Sequence, residues 1–573
     1  MYERKRLRRL ACALVALACG VKQGYAQTVG PDIRLQLERQ GQLQQQQLDR
    51  DRSLQNGDAN PFRTPTPAPE AVVPPVTHGP AGECHQYRQI RIDGADHLRP
   101  IYRDALIAPF LGRCLSQQDA ESLAAAITRH YLEDGYVTTH AYVRRPDPLA
   151  PDVLSISVVE GILERYAVEG SSIPLSTVFP MTVGHIFNLR DLEEGIDHLN
   201  ALASNNVTAQ IEPGAAAGGS VVRLQNQRTQ APWRAYFSVD TLGNSATGRA
   251  EGVAGLTLDN PLGLADSLST SMRRSSPWNP QPYRSFSFST LYNIPFGYND
   301  FTVGYQTSRY SQTLTLPSGS AVKTDGTLGS LFIKGERLLY RDQNTQLVVS
   351  GQLRAERDST SFGAQELALQ SPHLAVFDGD VIVKRRVENG WLQASLGLSE
   401  GLHGLDATID SGNTGPRAQY TVFHSVGSAT TQFAIGAQQF TYSASYSGQW
   451  SQDQLYPSSQ MLIGGPYTVR GFDRNTASGS TGVYMRNELG WLSHGSVWGM
   501  PTLLSPYIGL DAGRIWRANS ATDTSVTLIG TTVGVRYSAG RISLDAFYSA
   551  PAPWLKFVPR EKGLVYLQAT FNL

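Results

Sequence analysis

Long apolar stretches are scarce in this chain of 573 residues. The longest covers residues 10–21, which is too short to span a bilayer as a helix, and the mean hydropathy is negative. These two features exclude an ordinary helical membrane protein. The 49 Lys and Arg residues balance the 49 Asp and Glu residues, so nothing in the charge favours nucleic acid as a partner.

Signatures of small-molecule chemistry are missing too. The sequence contains no Gly-x-x-x-x-Gly-Lys loop for a nucleotide phosphate, and its histidines lack metal-ligand spacing. The segment Gly397-Leu-Ser-Glu-Gly401 spells a nucleophile elbow, but that elbow requires a strand, a sharp turn and a helix. Here Gly401-Leu-His-Gly404 continues as a turn. We therefore expect no catalytic residue, no metal, no cofactor and no nucleotide.

Cysteine is rare, with four residues in the whole chain. Cys12 and Cys19 lie in the N-terminal apolar run, which follows a cluster of five Lys and Arg residues and precedes Gly24 and Ala26. This pattern predicts a secretory signal peptide over residues 1–26, cleaved after Ala26. A short buried helix is the alternative interpretation. If the signal peptide is correct, the mature protein leaves the cytoplasm.

Only Cys84 and Cys114 would remain in the mature chain. An even pair in an oxidising compartment predicts a disulfide. It would close a loop of about 30 residues and contribute roughly 3–4 kcal/mol in the chain-entropy model. This structural role is favoured over a metal-binding or catalytic role, because two cysteines alone cannot complete a zinc site.

Two N-terminal stretches differ from folded domains in composition. Residues 27–56 are rich in Gln, Arg, Asp and Leu and predict a helix that is polar all round. Such a helix needs a polar surrounding to be stable, and a disordered tail is the alternative. Residues 57–83 contain a Pro-rich run at 60–69 and predict a semi-rigid linker.

Residues 84–228 repeat one pattern of strand, helix, strand and strand. In the first unit, 84–160, Ser116-Gln-Gln-Asp119 resembles a capping box before apolar residues at helical spacing. The second unit, 161–228, contains a predicted helix at 189–202. The predicted strands are 87–94, 137–144 and 153–159 in the first unit, and 163–168, 207–211 and 220–224 in the second. We interpret His130, Tyr131 and Tyr136 as packing residues.

From residue 229 to residue 573 the apolar spacing changes to strict alternation. In the segment 440–450, Phe440, Tyr442, Tyr446 and Trp450 share one face, and Ser, Thr and Gln occupy the other. A soluble sandwich would alternate as well, but such segments recur over about 340 residues. We therefore predict an all-β transmembrane barrel of about 16 antiparallel strands with a wide lumen.

An arginine with unusual neighbours lies in the predicted loop 456–479. Arg470 follows Val469 and precedes Gly471 and Phe472. A loop near a membrane barrel faces water, a headgroup or the lumen, because lipid cannot satisfy its backbone polar groups. The neighbours of Arg470 are able to pack, which favours the lumen.

A partner for this arginine is visible in the predicted strand 504–516. Asp511 lies on its lumenal face, with Gly509 and Gly513 two residues away on either side. Glycine inside a strand often marks the close approach of another segment. We predict that Arg470 meets Asp511. Arg486 and Glu488 are rival partners on the lumenal face, and two unrelated solvated charges are the simplest alternative.

This order of parts resembles the TpsB family, the outer-membrane transporters of two-partner secretion, which includes filamentous-haemagglutinin and haemolysin transporters. Two short motifs carry the resemblance most strongly: Val469, Arg470, Gly471 and Phe472 in the loop, and Gly509-Leu-Asp511-Ala-Gly513 in the strand. Val159-Glu-Gly161 and Leu189-Arg-Asp-Leu-Glu193 are also similar to family patterns. The resemblance covers nearly the whole mature chain.

The resemblance implies six regions: signal peptide 1–26, plug helix 27–56, linker 57–83, POTRA domains 84–160 and 161–228, and barrel 229–573. It implies that the POTRA domains, in the periplasm, capture a secreted exoprotein, which crosses the barrel unfolded. That partner could be an adhesin, a cytolysin or a contact-dependent toxin. Outer-membrane lipid and the barrel assembly machinery are the other expected partners.

Two other functions remain open from the sequence. A barrel insertase of the outer-membrane assembly class shares POTRA units and the arginine loop, although such chains are longer. A passive porin is disfavoured by the two β-α-β-β units. The sequence names neither the secreted partner nor the POTRA edge strand that binds it, and it leaves the gating order and the oligomeric state open.

Overall fold

The computed structural model describes residues 84–573 apart from 171–172, 228–229, 246, 276–283, 316–318, 411–414, 498, 517–524 and 553–558. The predicted signal peptide (1–26), plug helix (27–56) and linker (57–83) therefore lie outside the described residues. Within the described ranges, no helix combines the length and the apolar character that a bilayer crossing requires.

The first α+β unit packs helices against a small sheet. Its elements are β1 (His85–Gln86), β2 (Gln89–Asp93), α1 (Pro100–Ile107), β3 (Cys114–Leu115), α2 (Gln117–Glu133), β4 (His140–Val143) and β5 (Val153–Val159). The sheet order is β2–β5–β4, with β2 parallel and β4 antiparallel to β5. A ribbon pairs β1 with β3, and the predicted disulfide between Cys84 and Cys114 joins its ends across a Cα distance of 5.3 Å.

Helix α2 begins as its sequence predicts. The hydroxyl oxygen of Ser116 accepts a hydrogen bond from the amide of Asp119, whose carboxylate accepts one from the amide of Ser116. This complete capping box satisfies two amides that the first turn leaves without helical partners. The four apolar positions predicted for the inner face are all buried in the core of the unit: Leu123, Ala124, Ile127 and Tyr131.

Three details of this unit differ from the sequence prediction. Helix α1 and the β1–β3 ribbon were not predicted, because short elements carry little periodicity. The strand predicted at 137–144 begins only at His140. Turns occupy the residues between Gly135 and His140, where the amides of Tyr136, Val137 and Thr139 bond to carbonyls of the preceding turn.

The second unit repeats the architecture with β6 (Ile162–Gly170), α3 (Leu175–Val178), α4 (Leu189–Asn200), β7 (Val207–Pro213) and β8 (Gly219–Asn226). Its sheet order is β6–β8–β7, with β8 parallel to β6 and antiparallel to β7. Leu192, Ile196 and Leu199 of α4 are buried in the core of this unit. All four elements predicted for this unit are present, with bounds that differ by at most two residues.

A carboxylate at the end of the first unit is fixed by contacts within that unit. Glu160 accepts hydrogen bonds from the hydroxyl of Tyr131 (2.6 Å) and the amide of His97 (2.8 Å), and its second oxygen lies 2.7 Å from His97 Nδ1. Burial alone raises the pKa of Glu160, but these hydrogen bonds outweigh it and hold the pKa below its ordinary value. Gly161 lies against Thr138 with no room for a Cβ. Glu160 and Gly161 therefore fix the position of the backbone between β5 and β6.

In the described part of the chain, sixteen antiparallel strands close into a barrel, as predicted. They are β9 (Trp233–Asp240), β10 (Glu251–Asp259), β11 (Ser267–Ser275), β12 (Arg284–Phe296), β13 (Asn299–Thr315), β14 (Ala321–Arg341), β15 (Thr345–Phe362), β17 (His373–Val387), β18 (Gly390–Gly401), β19 (Thr421–Ile435), β20 (Gln438–Trp450), β23 (Thr481–Val497), β24 (Met500–Trp516), β25 (Val526–Ala539), β26 (Ile542–Pro551) and β27 (Leu564–Asn572). Three short strands sit in connections: β16 (Gln365–Glu366), β21 (Met461–Ile463) and β22 (Ala477–Gly479).

The two faces of the barrel strands differ as the alternation predicts. On β24, Leu504, Ile508 and Leu510 are exposed on the outer face, whereas Tyr507 and Asp511 are buried on the lumenal face. The ring closes where β27 pairs with β9, and Thr570 and Ser238 form a side-chain hydrogen bond of 3.0 Å across this seam. Each barrel strand therefore has a paired neighbour on both sides.

An arginine at the end of the barrel nearest the α+β units binds the second unit. Arg341, the last residue of β14, is 9% exposed and donates to three carboxylates of α4: Glu193 (3.3 Å), Glu194 (2.7 Å) and Asp197 (2.6 Å). Their spacing places the three carboxylates on one side of the helix. The acidic end of the Leu189–Glu193 motif and the residues after it therefore dock the unit on the barrel.

The turn between β12 and β13 adds a second docking point. The amide of Gly297 donates to the carbonyl of Thr177 (2.8 Å), and the Gly297 carbonyl lies 2.8 Å from Nε2 of His198. The hydroxyl of Tyr298 donates to the carboxylate of Asp191. Burial raises the pKa of Asp191 above its ordinary value, and the neighbouring Glu194 adds to the rise. These contacts connect the second unit to two adjacent turns of the barrel.

We expect Arg341→Gln to loosen the second unit from the barrel, because Glu194 and Asp197 would lose their guanidinium and Glu193 would keep only Arg190 of its own helix. Breaking a buried ion pair costs about 3–5 kcal/mol, and partial access to water reduces that figure here. Amide hydrogen exchange in α4 should become at least about tenfold faster. Arg337→Gln is the control, since Arg337 lies on the same strand, is exposed and donates to Asn299. Equal exchange in the two variants would contradict the docking role.

Candidate functional site in the barrel lumen

One long connection turns into the barrel instead of leaving it. It joins β20 to β23 through residues 451–480, a longer stretch than the predicted 456–479. Its two arms pair with each other as β21 and β22, with Met461 opposite Gly479. Between the arms, the tip reaches the lumenal face of β24, where the amide of Arg470 donates to Asp511 (3.1 Å). We call residues 451–480 the inner loop.

Arg470 and Asp511 form a two-pronged ion pair at the tip of the inner loop. Nε of Arg470 lies 2.6 Å from Oδ2 of Asp511, and Nη2 lies 2.7 Å from Oδ1. The Arg470 side chain is 1% exposed and the Asp511 side chain 0%. The planar guanidinium fork thus meets the edge of the carboxylate. This two-point contact fixes the orientation of the loop tip and also contributes electrostatic attraction.

Glycines occupy the places where loop and wall approach most closely. A Cβ on Gly509 would lie 2.5 Å from Nη2 of Arg470, and a Cβ on Gly513 would lie 2.9 Å from Cγ2 of Val469. Gly471 has a φ of +95°, and a Cβ there would lie 2.5 Å from the carbonyl carbon of Ala550. The glycines of both motifs therefore make room for the same contact.

Apolar packing supports the charged contact. Val469 and Phe472 are fully buried, together with Ile463 of β21 on the first arm of the inner loop. They form one cluster with Ile515 of β24 and Leu528 of β25. The motif therefore contacts the barrel wall in two ways: the side chains of residues 469 and 472 pack against it, and the guanidinium of residue 470 forms ion pairs with it.

The rival partners belong to the same network. Nη1 of Arg470 donates to Oε1 of Glu488 (2.5 Å), and Oε2 of Glu488 accepts from Arg536 (2.7 Å). Arg486 donates instead to the carbonyl of Tyr467 in the inner loop (3.0 Å). Arg470 therefore binds both Asp511 and Glu488. The side chain of Arg486 bonds to a backbone carbonyl of the inner loop.

A second anchor holds the tip of the inner loop from outside the predicted motifs. Asp473 accepts a hydrogen bond from Arg249, in the connection between β9 and β10 (2.7 Å). Glu561, in the connection between β26 and β27, accepts the amides of Asp473, Arg474 and Asn475 at 3.0–3.1 Å. No sequence pattern links these residues, because the contacts join connections that are far apart along the chain.

The first arm of the inner loop packs on another part of the wall. Leu455 and Tyr456 are buried with Val376 of β17 and with Tyr420, just before β19. The hydroxyl of Ser459 donates to that of Tyr420 (3.2 Å). The inner loop is thus fixed both at its entry, near β17 and β19, and at its tip, near β24.

A cavity of about 1200 Å³ lies in the lumen beside the charged cluster. Arg536 and Asp545 line it and bond to each other (3.2 Å), and Arg536 also binds Glu488. Other lining residues lie toward the end that carries the α+β units: Gln230, Arg541 and Leu573. The cavity therefore leads from that end of the barrel toward the contacts that hold the inner loop.

The Gly397–Gly401 segment does not form a nucleophile elbow. Ser399 lies inside β18, which continues to Gly401 without a turn into a helix. Its hydroxyl donates to Asp378 (2.6 Å) and lies 3.3 Å from Nδ1 of His424. Among the described residues, no group of His, Cys, Asp and Glu is arranged to hold a metal ion.

Three family models match the parts of the fold just described. The description "Haemolysin secretion/activation protein ShlB/FhaC/HecB" matches residues 218–537, which include most of the barrel and the inner loop. A ShlB-type POTRA domain matches residues 85–161, and a further POTRA domain matches residues 162–213.

The chain belongs to the ShlB/FhaC/HecB family. It is 29% identical to the outer membrane transporter CdiB-2 of Burkholderia pseudomallei (strain 1026b), covering 97% of this chain and 98% of the relative. It is 29% identical to the hemolysin transporter protein ShlB of Serratia marcescens, covering 81% and 82%. The solved structure of CdiB from Escherichia coli has a TM-score of 0.81 at 27% identity, covering 94% of this chain and 98% of that chain.

Family membership shows which end of the molecule lies in the periplasm. The protein is an outer-membrane transporter of two-partner secretion, with its POTRA domains in the periplasm. The inner loop and its charged cluster therefore lie in the lumen of a transport barrel, and the cavity beside them extends toward the periplasmic end. The insertase interpretation, which the sequence left open, has no comparable support.

We expect Glu561→Gln to free the tip of the inner loop while leaving the Arg470–Asp511 pair in place. The amide nitrogen of glutamine cannot accept a hydrogen bond, so part of the carboxylate contact with residues 473–475 is lost. Amide hydrogen exchange at these three residues should rise about tenfold, as expected for losing a hydrogen bond to a charged group. Lys562→Gln, at the exposed neighbouring residue, is the control. The second anchor is wrong if exchange stays at the level of the control.

Proposed function

We propose that the protein exports one large exoprotein in an unfolded state through the barrel lumen. The observation that carries this proposal is the inner loop, which occupies the lumen and is held by the Arg470 cluster beside a cavity toward the periplasmic end. Two of the relatives are named as a hemolysin transporter and an outer membrane transporter CdiB-2. We therefore place the exoprotein in the haemolysin or contact-dependent inhibition class, with adhesins as a further candidate class.

The POTRA domains capture the exoprotein in this proposal, by adding one of its strands to an open sheet edge. Such β-augmentation satisfies the backbone groups of an unfolded segment without demanding one sequence. In the second domain, residues 184–187 already bond to Leu163 of β6 and to Gly161 just before it. The opposite edge strand, β7, pairs with β8 on one side. We propose β7, or the edge strands β2 and β4 of the first domain, as the capture sites.

The remaining regions take the roles that the family resemblance implies. We propose a signal peptide at 1–26, a lumenal plug helix at 27–56 and a linker at 57–83. POTRA domains at 84–160 and 161–228 would then precede the barrel at 229–573. The lining of the cavity of about 1200 Å³ includes the polar side chains of Arg234, Ser505 and Gln568, which can hydrogen-bond to a helix that is polar all round.

We propose that transport involves no catalysis by this chain. Hydrogen bonds and ion pairs in the lumen can exchange between the inner loop, water and a passing chain, and folding of the exoprotein outside the cell would keep it from returning. Two further partners follow from the location of the barrel. The barrel assembly machinery would insert it, and outer-membrane lipid would surround it.

The sites of this proposal are the Val469–Phe472 motif and the strand motif of Gly509, Asp511 and Gly513, and a double-mutant cycle tests them. We expect Arg470→Ala and Asp511→Ala each to lower exoprotein release at least about tenfold, because each leaves a buried charge without the partner that makes its two-pronged contact. The double variant should release as much exoprotein as the weaker single variant, since the two residues act as one unit. Losses that multiply would show two separate roles.

Two further variants sharpen this cycle. Arg470→Lys should also lower release, because lysine keeps the charge but lacks the planar fork that meets Asp511. Arg514→Gln is the matched control, since Arg514 lies on β24 near Asp511 but faces outward. All variants should still insert and shift with heating in gel electrophoresis. Normal release by Arg470→Lys would contradict the geometric role of the fork.

A further inference from the structure

Three arginines lie together on the outer face of the barrel, away from the inner loop. Arg274 on β11, Arg284 on β12 and Arg309 on β13 are all exposed. The residues next to them along each strand are buried on the lumenal face: Arg273, Ser285 and Tyr310. Because strand residues alternate between faces, the three arginines point toward the surroundings of the barrel.

The strand register places these arginines around one point. Arg274 is opposite Phe286, and Phe286 is opposite Arg309. Adjacent strands lie about 4.8 Å apart, so the Cα atoms of Arg274 and Arg309 are about 10 Å apart with Phe286 between them. Arg284 precedes Phe286 by two residues on the same face, opposite Ser311. Three long cationic side chains can therefore converge on a single ligand.

The height of the cluster is that of the extracellular lipid headgroups. Strand β13 begins at Asn299, beside the periplasmic turn, and its outer residues Phe301, Val303 and Tyr305 are exposed and apolar. Arg309 follows ten residues after Asn299. With about 3.3 Å per residue and a tilt of about 40°, it lies about 25 Å above the turn, which is the height of the apolar band of such barrels.

A groove of about 850 Å³ joins the arginines to apolar residues. Its lining includes Phe237 and Val239 of β9, Ala254 of β10, and Met272 and Phe286, together with the three arginines. Small residues, Gly252 and Ala254, form part of its floor. A groove with an apolar floor and a cationic upper end fits an amphiphile with an anionic head.

Two other outward arginines on the barrel have partners within the protein. Arg357 pairs with Asp406 (3.3 Å), and Arg514 donates to Ser525 (2.9 Å) and lies over the ring of Trp516. Among the described residues, Arg274 and Arg309 make no ion pair. Asp325 also lines the groove, but it pairs with Lys323 (2.9 Å). The groove therefore has net positive charge available for a ligand.

We propose that this groove binds a phosphorylated glycolipid of the outer leaflet. Its phosphates would accept hydrogen bonds from Arg274, Arg284 and Arg309, and an acyl chain would lie over the apolar floor. Guanidinium groups suit phosphate because they offer two parallel donors. The inference rests on the outer-membrane location of the barrel and is independent of how the inner loop works.

Binding of defined lipids to the purified full-length protein tests the site. The protein in neutral detergent is titrated with bis-phosphorylated lipid A, and bound lipid is counted by native mass spectrometry. We expect the wild type to bind lipid A at least about tenfold more tightly than the dephosphorylated form. Arg274→Gln with Arg309→Gln should lose about the same factor. Arg357→Gln with Arg514→Gln, the matched control, should bind as the wild type does.

Several results would overturn the proposal. Undiminished binding by the Arg274/Arg309 variant would exclude the site. Equal binding of phosphatidylglycerol would show a general anionic surface, and full competition by inorganic pyrophosphate would show a free-phosphate site. If the glutamine variant fails to insert, Arg274→Lys with Arg309→Lys replaces it and should bind several-fold more weakly than the wild type. No exoprotein is present in this assay, so its outcome is separate from that of the export test.

Discussion

Burying a guanidinium inside the lumen is the constraint on which the rest of the site depends. Arg470 is almost fully buried, and withdrawing its charge from water costs several kcal/mol unless carboxylates replace the lost hydration. Asp511 and Glu488 together supply that replacement. Because both carboxylates are fixed on barrel strands, the inner loop can satisfy its arginine in one position. The small residues at 509 and 513 and the apolar contacts of Val469 and Phe472 follow from that position.

Charged contacts join the separate parts of the molecule to one another, whereas an apolar core stabilises each POTRA domain from within. Arg341 ties the second POTRA domain to the barrel, and Arg249 and Glu561 tie the inner loop to two other connections. Each domain nevertheless has its own apolar core. Polar contacts can exchange for water at little net cost, whereas a core cannot be opened without exposing apolar surface. Bodies joined in this way can shift relative to one another while each stays folded.

Strong periodicity made most of the fold predictable. The alternation from residue 229 onward predicted the barrel, and the capping box at Ser116 predicted the start of α2. Arg470 and Asp511 could be paired from sequence because both are charges among small or apolar residues, a local anomaly that physical chemistry must explain. Arg249 and Glu561 carry no such signal, since an exposed charge in a connection is ordinary. Their roles arise only when folding brings distant connections together. Helix α1 was missed because eight residues show too little periodicity.

The seam between β9 and β27 has a consequence for how the barrel comes into existence. Thr570 and Ser238, which bond across it, are 332 positions apart in the chain, so the ring is open until its last strand has docked. An open ring presents two unpaired strand edges, and lipid offers no hydrogen bonds to either. The half-built barrel therefore has no stable state of its own in the bilayer. The unpaired edges of β9 and β27 must be kept away from lipid until they pair with each other. Membrane entry and ring closure are therefore expected to occur together.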